Sequence, residues 1–257
     1  MKSIQFDRVA DLYDSYVNQD FDIPYFLEEA KNARGKVLEL TSGTGRVSVP
    51  LIRGGIDLTC VDYSTGMLSV LQRKTENGWL PCKLIAMDMT QLALRQKFEL
   101  IFIPFNSFSE ILERDLQKQT LERIMEHLTD SGHFICTLHN ERIRLGNIDG
   151  RPGTLGRFPT KTGGSLVVRY HFNYDHSTRL AHGFQYYELF DHESRMVGER
   201  SLEINFYLFN REEFELLIRE CGFDVVNLYG DYSKSKFDEE HSPFMIWKLK
   251  KSDKWTS

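Results

Sequence analysis

The amino-acid sequence predicts an α/β fold in which helices cover both faces of a parallel sheet. Short apolar runs alternate with stretches of helical periodicity up to about residue 140, which is the pattern of a parallel sheet. Three runs rich in β-branched and aromatic residues follow and indicate an antiparallel insertion. One helical stretch and two strand-like runs then complete the α/β pattern.

The composition is that of a globular protein with a substantial core. Of its 257 residues, 41% are hydrophobic and 27% are charged. The formal net charge of -5 argues against a nucleic-acid partner. No apolar run reaches the ~20 residues of a membrane span, and the first residues lack the apolar centre of a signal peptide. We therefore expect no membrane partner, and the oligomeric state stays open.

The cysteines indicate a reducing compartment. They lie far apart in the sequence, without the spacing of a metal site. They are Cys60, Cys82, Cys136 and Cys221. We expect reduced thiols and a cytoplasmic location. Three histidines in the insertion also lack a zinc-type spacing, so no metal site is predicted. They are His171, His176 and His182.

The first half of the chain supplies five predicted strands. These are "KVLEL", "IDLTCVD", "KLIAMD", "FELIFIPF" and a fifth strand that follows Gly132 in "TDSGHFICTLHN". Two amphipathic stretches precede them, from Arg8 to Val17 and from Ile23 to Ala33. A helix is expected from Leu112 to Leu128, with Gly132 as the residue that ends it.

The pattern changes at Asn140. The segment "NERIRLGNIDGRPGTLGRFPTKTGG" is expected to be a loop, and "SLVVRYHFNYD", "RLAHGFQYYELFD" and "RSLEINFYLFN" to be an antiparallel meander. A helix then begins at the N-cap Asn210 and ends at Gly222, before the strands "DVVNLYGDY" and "PFMIWKLKK". This predicts an α/β domain of residues 1–140 and 210–257, with the insertion at residues 141–209.

A glycine turn follows the first strand, at the sheet edge where open α/β proteins bind ligands. Gly43 and Gly45 permit unusual backbone angles and the close approach of a ligand, although a tight turn without a ligand has the same residues. Asp62 ends the second strand, where a carboxylate accepts hydrogen bonds from ribose hydroxyls. The alternative is that Asp62 caps the helix beginning near Thr65.

A third carboxylate favours an adenosine cofactor other than a dinucleotide. Asp88 ends the third strand, where it is placed to accept a hydrogen bond from an adenine amino group. The third glycine of the dinucleotide fingerprint would fall on Ser48, and no G-K-[ST] sequence exists for a P-loop.

Together these motifs resemble the class I S-adenosylmethionine-dependent methyltransferases. "VLELTSGTGRVSVPL", "CVDYSTGML", "IAMDMTQL" and "FELIFIPFNSF" match the first four family motifs in order. The resemblance runs from Tyr13 to about His139 and resumes at Asn210, where the sequence looks like the small-molecule branch. Sugar N-methyltransferases and glycine-type N-methyltransferases have a similar layout. The resemblance implies a Rossmann-like sheet of seven strands, S-adenosylmethionine as cofactor and a small-molecule methyl acceptor.

The resemblance also implies a role for each matching residue. Residues at the methionine end would be Glu39, Thr41, Gly43 and Gly45. Residues around the adenosine would be Asp62, Tyr63, Met67, Asp88 and Met89. Phe105 and Asn106 would face cofactor and substrate, and Tyr13 and Tyr16 would belong to an N-terminal helix folded over the cofactor.

One position departs from the family. Thr41 stands where the family usually has glycine. Its side chain would either crowd the cofactor or donate a hydroxyl to the cofactor carboxylate.

Methyl transfer to a nitrogen or oxygen requires mainly in-line alignment of the acceptor with the sulfonium, so the sequence does not demand a catalytic residue. His139, at the end of the fifth strand, is the candidate base. The alternatives are that His139 only orients the loop into the insertion, or that Asn106 orients the acceptor.

Two features of the insertion are compatible with more than one role. Its aromatic residues would either roof the substrate pocket or pack against the main domain; they are Tyr170, Phe172, Tyr174, Phe184, Tyr186, Tyr187 and Phe190. The arginines before them would either meet an anionic substrate or form a solvated face; they are Arg142, Arg144, Arg151 and Arg157.

Two other functions remain open at this point. One is a nicotinamide-dependent oxidoreductase, and the other is a non-catalytic cofactor-binding protein with the same fold.

Overall fold

The computed structural model describes residues 4–160 and 163–253. Residues 161–162 of the expected loop, and the ends of the expected α/β domain at residues 1–3 and 254–257, lie outside this range. The strands are β1 Val37–Leu40, β2 Leu58–Asp62, β3 Lys83–Ala86, β4 Phe98–Ile103, β5 Leu128–His139, β6 Gly153–Pro159, β7 Ser165–Asp175, β8 Leu180–Phe190, β9 Met196–Tyr207, β10 Phe223–Tyr229 and β11 Phe244–Lys251. The α-helices are α1 Tyr13–Tyr16, α2 Ile23–Asn32, α3 Ser48–Arg53, α4 Thr65–Asn77, α5 Arg114–His127, α6 Glu141–Leu145 and α7 Arg211–Glu220.

Seven strands form the main sheet, in the order β10-β11-β5-β4-β1-β2-β3. Strands β1 to β5 pair in parallel. Their central members are apolar on both faces, as expected of a sheet covered on both sides, and a hydrophobic cluster lies on each face. This arrangement confirms the predicted seven-stranded α/β fold.

The last strand runs against its neighbours, which the sequence pattern does not reveal. β11 pairs antiparallel with both β5 and β10. No helix lies between β10 and β11, so the chain has no crossover to return it parallel to β10.

The insertion contains a second sheet, which we call the cap sheet, with strand order β6-β7-β8-β9. Its three long strands match the predicted meander. The prediction of a loop before the meander is wrong, because this segment contains α6 and β6. Strand β6 is an edge strand in which Gly153, Gly156 and Pro159 are tolerated, and these residues are what make the sequence resemble a loop.

Two further expectations differ from the structure. The stretch from Arg8 to Val17 contains only a short 3-10 turn at Phe6–Arg8 and helix α1. Gly132 does not end α5, because the helix already ends at His127 and Gly132 lies within β5. A Cβ at Gly132 would approach the carbonyl oxygen of Phe98 to 2.9 Å. Glycine is therefore required there by close strand contact.

The segment of residues 4–17, which we call the N-terminal segment, packs beneath the cap sheet. Its buried side chains share one cluster with those of three cap strands, and these are Ile4, Val9, Leu12, Tyr16 and Val17 together with Leu166, Val168, Tyr187 and Leu202. The ion pair between Asp11 and Arg200 (2.5 Å) links the same two elements at the surface. The N-terminal segment thus joins the cap sheet to the main domain. In the described part of the chain, no helix has the length and apolar character of a membrane span.

The N-cap of α7 is expected to contribute to the stability of the protein. The side chain of Asn210 accepts a hydrogen bond from the backbone N–H of Glu213 (2.8 Å), while Phe214 and Leu217 of this helix are buried. We expect Asn210→Ala to lower the free energy of unfolding by about 1 kcal/mol, measured by urea denaturation. Asn210→Ser retains a capping oxygen and should be close to the wild type. Equal stability of the alanine variant and the wild type would contradict this role of the cap.

Candidate active site

The turn after β1 has a left-handed backbone at three of its five residues. The φ angles are +60° at Thr41, +55° at Gly43 and +85° at Gly45. A Cβ at Gly45 would lie 2.2 Å from Leu71 Cδ1, so this glycine is required by packing against α4. A Cβ at Gly43 would have no heavy atom within 4 Å. Gly43 therefore borders open space at the carboxyl edge of the sheet, where a ligand fits.

Thr41 is unusual because β-branched residues rarely adopt a positive φ. Glycine would adopt this angle without a steric cost. Its hydroxyl donates a hydrogen bond to the carbonyl oxygen of Leu40 (2.5 Å). The Thr41 side chain therefore has a partner within its own turn.

Asp62 holds this turn against the start of α4. One carboxylate oxygen accepts from the Gly43 N–H (2.7 Å) and the other from the Ser64 N–H (2.8 Å). Burial raises the pKa of Asp62, although these two backbone bonds oppose the rise. The N-cap of α4 is Ser64, whose hydroxyl accepts from the Met67 N–H (3.1 Å). Ser64, and not Asp62, is therefore the N-cap of α4.

Glu39 lies beneath the turn and is almost fully buried. Burial raises its pKa to about 8, although Ser48 Oγ donates a hydrogen bond to it (2.6 Å). Glu39 borders a small cavity of about 40 Å³ together with Thr41, Arg46 and Phe105. It is therefore mostly protonated at neutral pH in the absence of a cationic ligand.

The end of β4 contains a second strained turn. Phe105 and Asn106 have φ angles of +57° and +62°. The guanidinium of Arg46 lies 5.0 Å from the centre of the Phe105 ring. The Oδ1 atom of Asn106 is buried and has no hydrogen-bond partner, so it is available to a ligand. Residues with a positive φ other than glycine cluster at active sites and at ligand-binding segments.

Two larger cavities meet along the carboxyl edge of the main sheet. The first, of about 310 Å³, is bordered by ten of the predicted residues, and these are Tyr13, Tyr16, Thr41, Gly43, Asp62, Tyr63, Met67, Phe105, Asn106 and His139. The second, of about 510 Å³, is bordered by Tyr63, Asp88 and Met89. Gly45 borders neither, in agreement with its packing role. Asp88 is exposed and also caps a short 3-10 turn, where it accepts from the Thr90 N–H (2.8 Å).

The N-terminal segment and the cap sheet roof the first cavity. The hydroxyls of Tyr16 and Tyr187 lie 3.0 Å apart, and the Tyr187 hydroxyl donates to Gln185 Oε1 (2.7 Å). Phe172 and Phe206 add apolar surface from the cap sheet. Other meander aromatics face away from the cavity, as the 41% exposure of Phe184 shows. The meander therefore contributes both a roof and an outer surface.

His139 lies at the end of β5 and borders the first cavity. Burial lowers its pKa to about 3, and the nearby positive charge of Arg144 contributes to this. Its ring stacks on Phe244, with centroids 6.2 Å apart. At neutral pH His139 is an uncharged imidazole. In the described ranges, no group of three or more metal-ligating side chains converges.

Glu110 is a site residue that the sequence analysis missed. It borders both larger cavities. Burial raises its pKa to about 8, and the charge of Asp62 adds to the rise. In the sequence, Glu110 could have been selected as a candidate from its position four residues after Asn106, in the turn that follows β4.

Thr41 allows a test of backbone strain. We expect Thr41→Gly to raise the free energy of unfolding by up to about 1.5 kcal/mol. Glycine relieves the ~1–2 kcal/mol of left-handed strain. The greater flexibility of its backbone lowers the stability by ~0.5–1 kcal/mol. Thr41→Ala keeps the positive φ with a Cβ and should not gain stability. A destabilised glycine variant, measured by urea denaturation, would contradict the strain.

Glu110 gives a pH dependence of stability. Its folded pKa of about 8 lies above the ordinary 4.5, so folding favours the protonated form. The unfavourable effect of Glu110 is absent below pH 4.5, grows as the pH rises and is complete above pH 8. We expect Glu110→Gln, which cannot ionise, to exceed the wild type by about 1–3 kcal/mol at pH 9 and to match it near pH 4.5. Exposed Glu122 is the control, since Glu122→Gln should follow the wild-type pH profile. Parallel profiles for Glu110→Gln and the wild type would contradict the raised pKa.

Residues 37–132 match a family model described as a methyltransferase domain. Among curated relatives, a Geobacillus sp. (strain WCH70) protein, provisionally named as a methyltransferase, is 28% identical. That match covers 50% of this chain and about half, 51%, of the relative. The glycine/sarcosine N-methyltransferase of Aphanothece halophytica is 21% identical over 88% of this chain and 80% of its own length.

Solved structures share the fold over nearly the whole chain. The CcbJ methyltransferase of Streptomyces caelestis superposes with a TM-score of 0.81 at 22% identity, covering 97% of this chain and 98% of its own. An S-adenosylmethionine-dependent methyltransferase of Clostridium acetobutylicum ATCC 824 also reaches 0.81, at 17% identity, covering 96% and 99%. Residues 37–132, which contain strands β1 to β4, therefore match a methyltransferase domain, and the chain as a whole has the fold of these solved methyltransferases.

Proposed function

We propose that the protein transfers the methyl group of S-adenosylmethionine to a nitrogen or oxygen of a small-molecule acceptor by in-line displacement. The main support for this proposal is the cavity of about 310 Å³, which is bordered by the turns after β1, β2 and β4 and also by the cap sheet. Its size and its roof suit a small acceptor held beside the cofactor.

The residues of the site fit this cofactor. Gly43 leaves open space beside the turn, Asp62 offers carboxylate oxygens next to it, and Asp88 borders the adjoining cavity. We assign the methionine end to Glu39 and the turn after β1, the ribose to Asp62, and the adenine to Asp88 and Met89. When bound, S-adenosylmethionine supplies an electrophilic methyl group on its sulfonium.

The chain itself supplies alignment and a water-poor surrounding, which is the main requirement of this reaction. The unpartnered Asn106 Oδ1 is placed to orient an acceptor hydrogen. His139, uncharged because of its low pKa, is a weak base and acts as a hydrogen-bond acceptor. An amine needs less assistance from a base than an alcohol does, so these two groups support a nitrogen acceptor. The named activity of the Aphanothece relative is of the same kind.

The competing functions have less support. The match to a methyltransferase domain and the shared fold do not support a nicotinamide-dependent oxidoreductase. A non-catalytic role does not account for a cavity that the turn after β1 and the cap sheet border together. All four cysteines are free thiols, which supports the expected cytoplasmic location.

Thermal unfolding with S-adenosylmethionine, S-adenosylhomocysteine and NADH tests the cofactor. A ligand at a hundred times its dissociation constant adds ~2.7 kcal/mol of stability. At ~2–4 °C per kcal/mol for a chain of this size, Tm should rise by roughly 5–11 °C. We expect this shift with the two adenosyl ligands and none with NADH. A shift with NADH alone would overturn the proposed function.

Gly43 and Gly55 form a matched pair for locating the cofactor. Both have a positive φ, and a Cβ at either would have no heavy atom within 4 Å. Gly55, however, lies in the connection between α3 and the start of β2 and does not border the first cavity. Alanine at either position should cost about 1–2 kcal/mol of stability through backbone strain. Only Gly43→Ala should also weaken S-adenosylhomocysteine binding, by at least about tenfold in titration calorimetry, because its methyl group enters the proposed cofactor space. Equal affinities of both variants would contradict this placement.

A further inference from the structure

Arg144 borders the first cavity, and within residues 4–160 and 163–253 no acidic side chain forms an ion pair with it. It lies on α6, directly after β5, and borders the cavity together with His139. Its Nε atom is buried and has no hydrogen-bond partner. Its guanidinium packs over the Phe206 ring, 5.2 Å from the ring centre. The two ends of this side chain are thus fixed by the cap sheet and by α6.

Glu141 of α6 and Glu213 of α7 both pair with Arg179, and not with Arg144. Glu141 receives a hydrogen bond from Arg179 (2.6 Å), and Glu213 forms an ion pair with the same arginine (3.2 Å). The other arginines of this segment differ from Arg144. Arg142 pairs with Glu240 at the surface (2.7 Å), and Arg151 is 86% exposed.

The backbone that carries Arg144 is held in place. Asn140 caps α6 by accepting from the Arg142 N–H (3.2 Å). Its side-chain amide donates to the carbonyl oxygens of Glu239 and Ser242, both at 2.8 Å. α6 is therefore anchored to the connection between β10 and β11, so the guanidinium is positioned before a ligand arrives. Preorganisation of this kind raises affinity.

A partly buried charge without a partner is costly, and burial lowers the pKa of Arg144 as a result. An anionic ligand removes this cost. The planar guanidinium matches a carboxylate in a two-point contact. Arg144 and the uncharged His139 are the only basic side chains that border this cavity in the described residues. Its two carboxyl groups are engaged elsewhere or uncharged at neutral pH, because Asp62 accepts from two backbone N–H groups of the turns and the pKa of Glu110 is raised to about 8. The positive charge of Arg144 is therefore matched by a monoanion. The surrounding surface is apolar, from Leu155, Phe172 and Ile204. A carboxylate therefore fits better than a phosphate dianion.

We propose that the methyl acceptor carries a carboxylate group, which pairs with Arg144 in the cavity beneath the cap sheet. This inference rests on the proposed function. The pairing fixes the acceptor at one end, beside β5, and directs its other end toward Asn106 and the turn after β4. Arg144 acts as a binding and specificity residue, while the reacting atoms lie nearer the cofactor turn.

Thermal unfolding of the protein saturated with S-adenosylhomocysteine tests the pairing directly. The probes are glycine and benzoate, each beside its amide (glycinamide and benzamide), and inorganic phosphate, all at matched ionic strength. We expect at least one carboxylate to raise Tm and its amide to have no effect. In Arg144→Gln this shift should disappear, and by titration calorimetry the dissociation constant should rise about 10- to 100-fold. Arg144→Lys keeps the charge but lacks the planar guanidinium, so its dissociation constant for the carboxylate should lie between those of the wild type and Arg144→Gln.

Arg142→Gln is the matched control on the same short helix, and it should respond to the carboxylate as the wild type does. The Tm shift caused by S-adenosylhomocysteine itself should be equal in Arg144→Gln and the wild type. If that shift is absent from both, the proposed function fails. If it is present in both and no carboxylate is preferred to its amide, only the carboxylate inference fails. A stronger response to phosphate than to either carboxylate would also overturn it.

Turnover provides an independent readout. With S-adenosylmethionine and the carboxylate amine glycine, we expect formation of S-adenosylhomocysteine, with glycinamide at least tenfold poorer in kcat/KM. In Arg144→Gln the preference for the carboxylate should vanish, chiefly through KM. Retention of the preference in this variant would overturn the role of Arg144.

Discussion

The left-handed backbone of the turn after β1 is the constraint on which the site depends. The strand ends in a turn with three positive φ angles within five residues. This conformation is unfavourable by itself, and Asp62 stabilises it by holding the Gly43 N–H and the first residues of α4 at the same time. The carboxylate predicted to bind a ribose is therefore also the support of the turn that borders it. Structure and binding cannot be separated at this position.

The N-terminal segment extends the same support outward. Asp14 accepts from the Thr44 hydroxyl in the turn (2.6 Å) and from Lys74 of α4 (2.8 Å). Asp7 accepts from the Ser64 hydroxyl (2.9 Å) and from the Gly66 N–H (2.5 Å). Through Tyr16 and its contact with Tyr187, the segment then reaches the cap sheet. The turn after β1 and the roof of the first cavity are thus connected through packed and hydrogen-bonded groups of the N-terminal segment.

The sequence was informative where a local rule governs the structure. Strand–helix alternation predicted the seven main strands, and twelve of the fourteen site residues expected from the motifs border the two larger cavities. It failed where tertiary pairing decides. The glycines and proline of β6 are acceptable only because this strand lies at a sheet edge, and the antiparallel direction of β11 follows from a connection without a helix. Likewise, Arg144 differs from Arg142 only in what folds around it, and the raised pKa of Glu110 depends on burial beside Asp62.

One contact of the N-terminal segment has a consequence for how a ligand enters. Ile4 and Tyr63 border both larger cavities, and the Tyr63 hydroxyl donates a hydrogen bond to the Ile4 carbonyl oxygen between them. A ligand that occupied both cavities at once would lie against this contact. If its binding required displacement of the segment, its observed affinity would be the intrinsic affinity multiplied by the fraction of molecules in which the segment is displaced. Local opening of residues 4–17, and not the cofactor turn alone, would set the rate at which the cofactor is exchanged for its product.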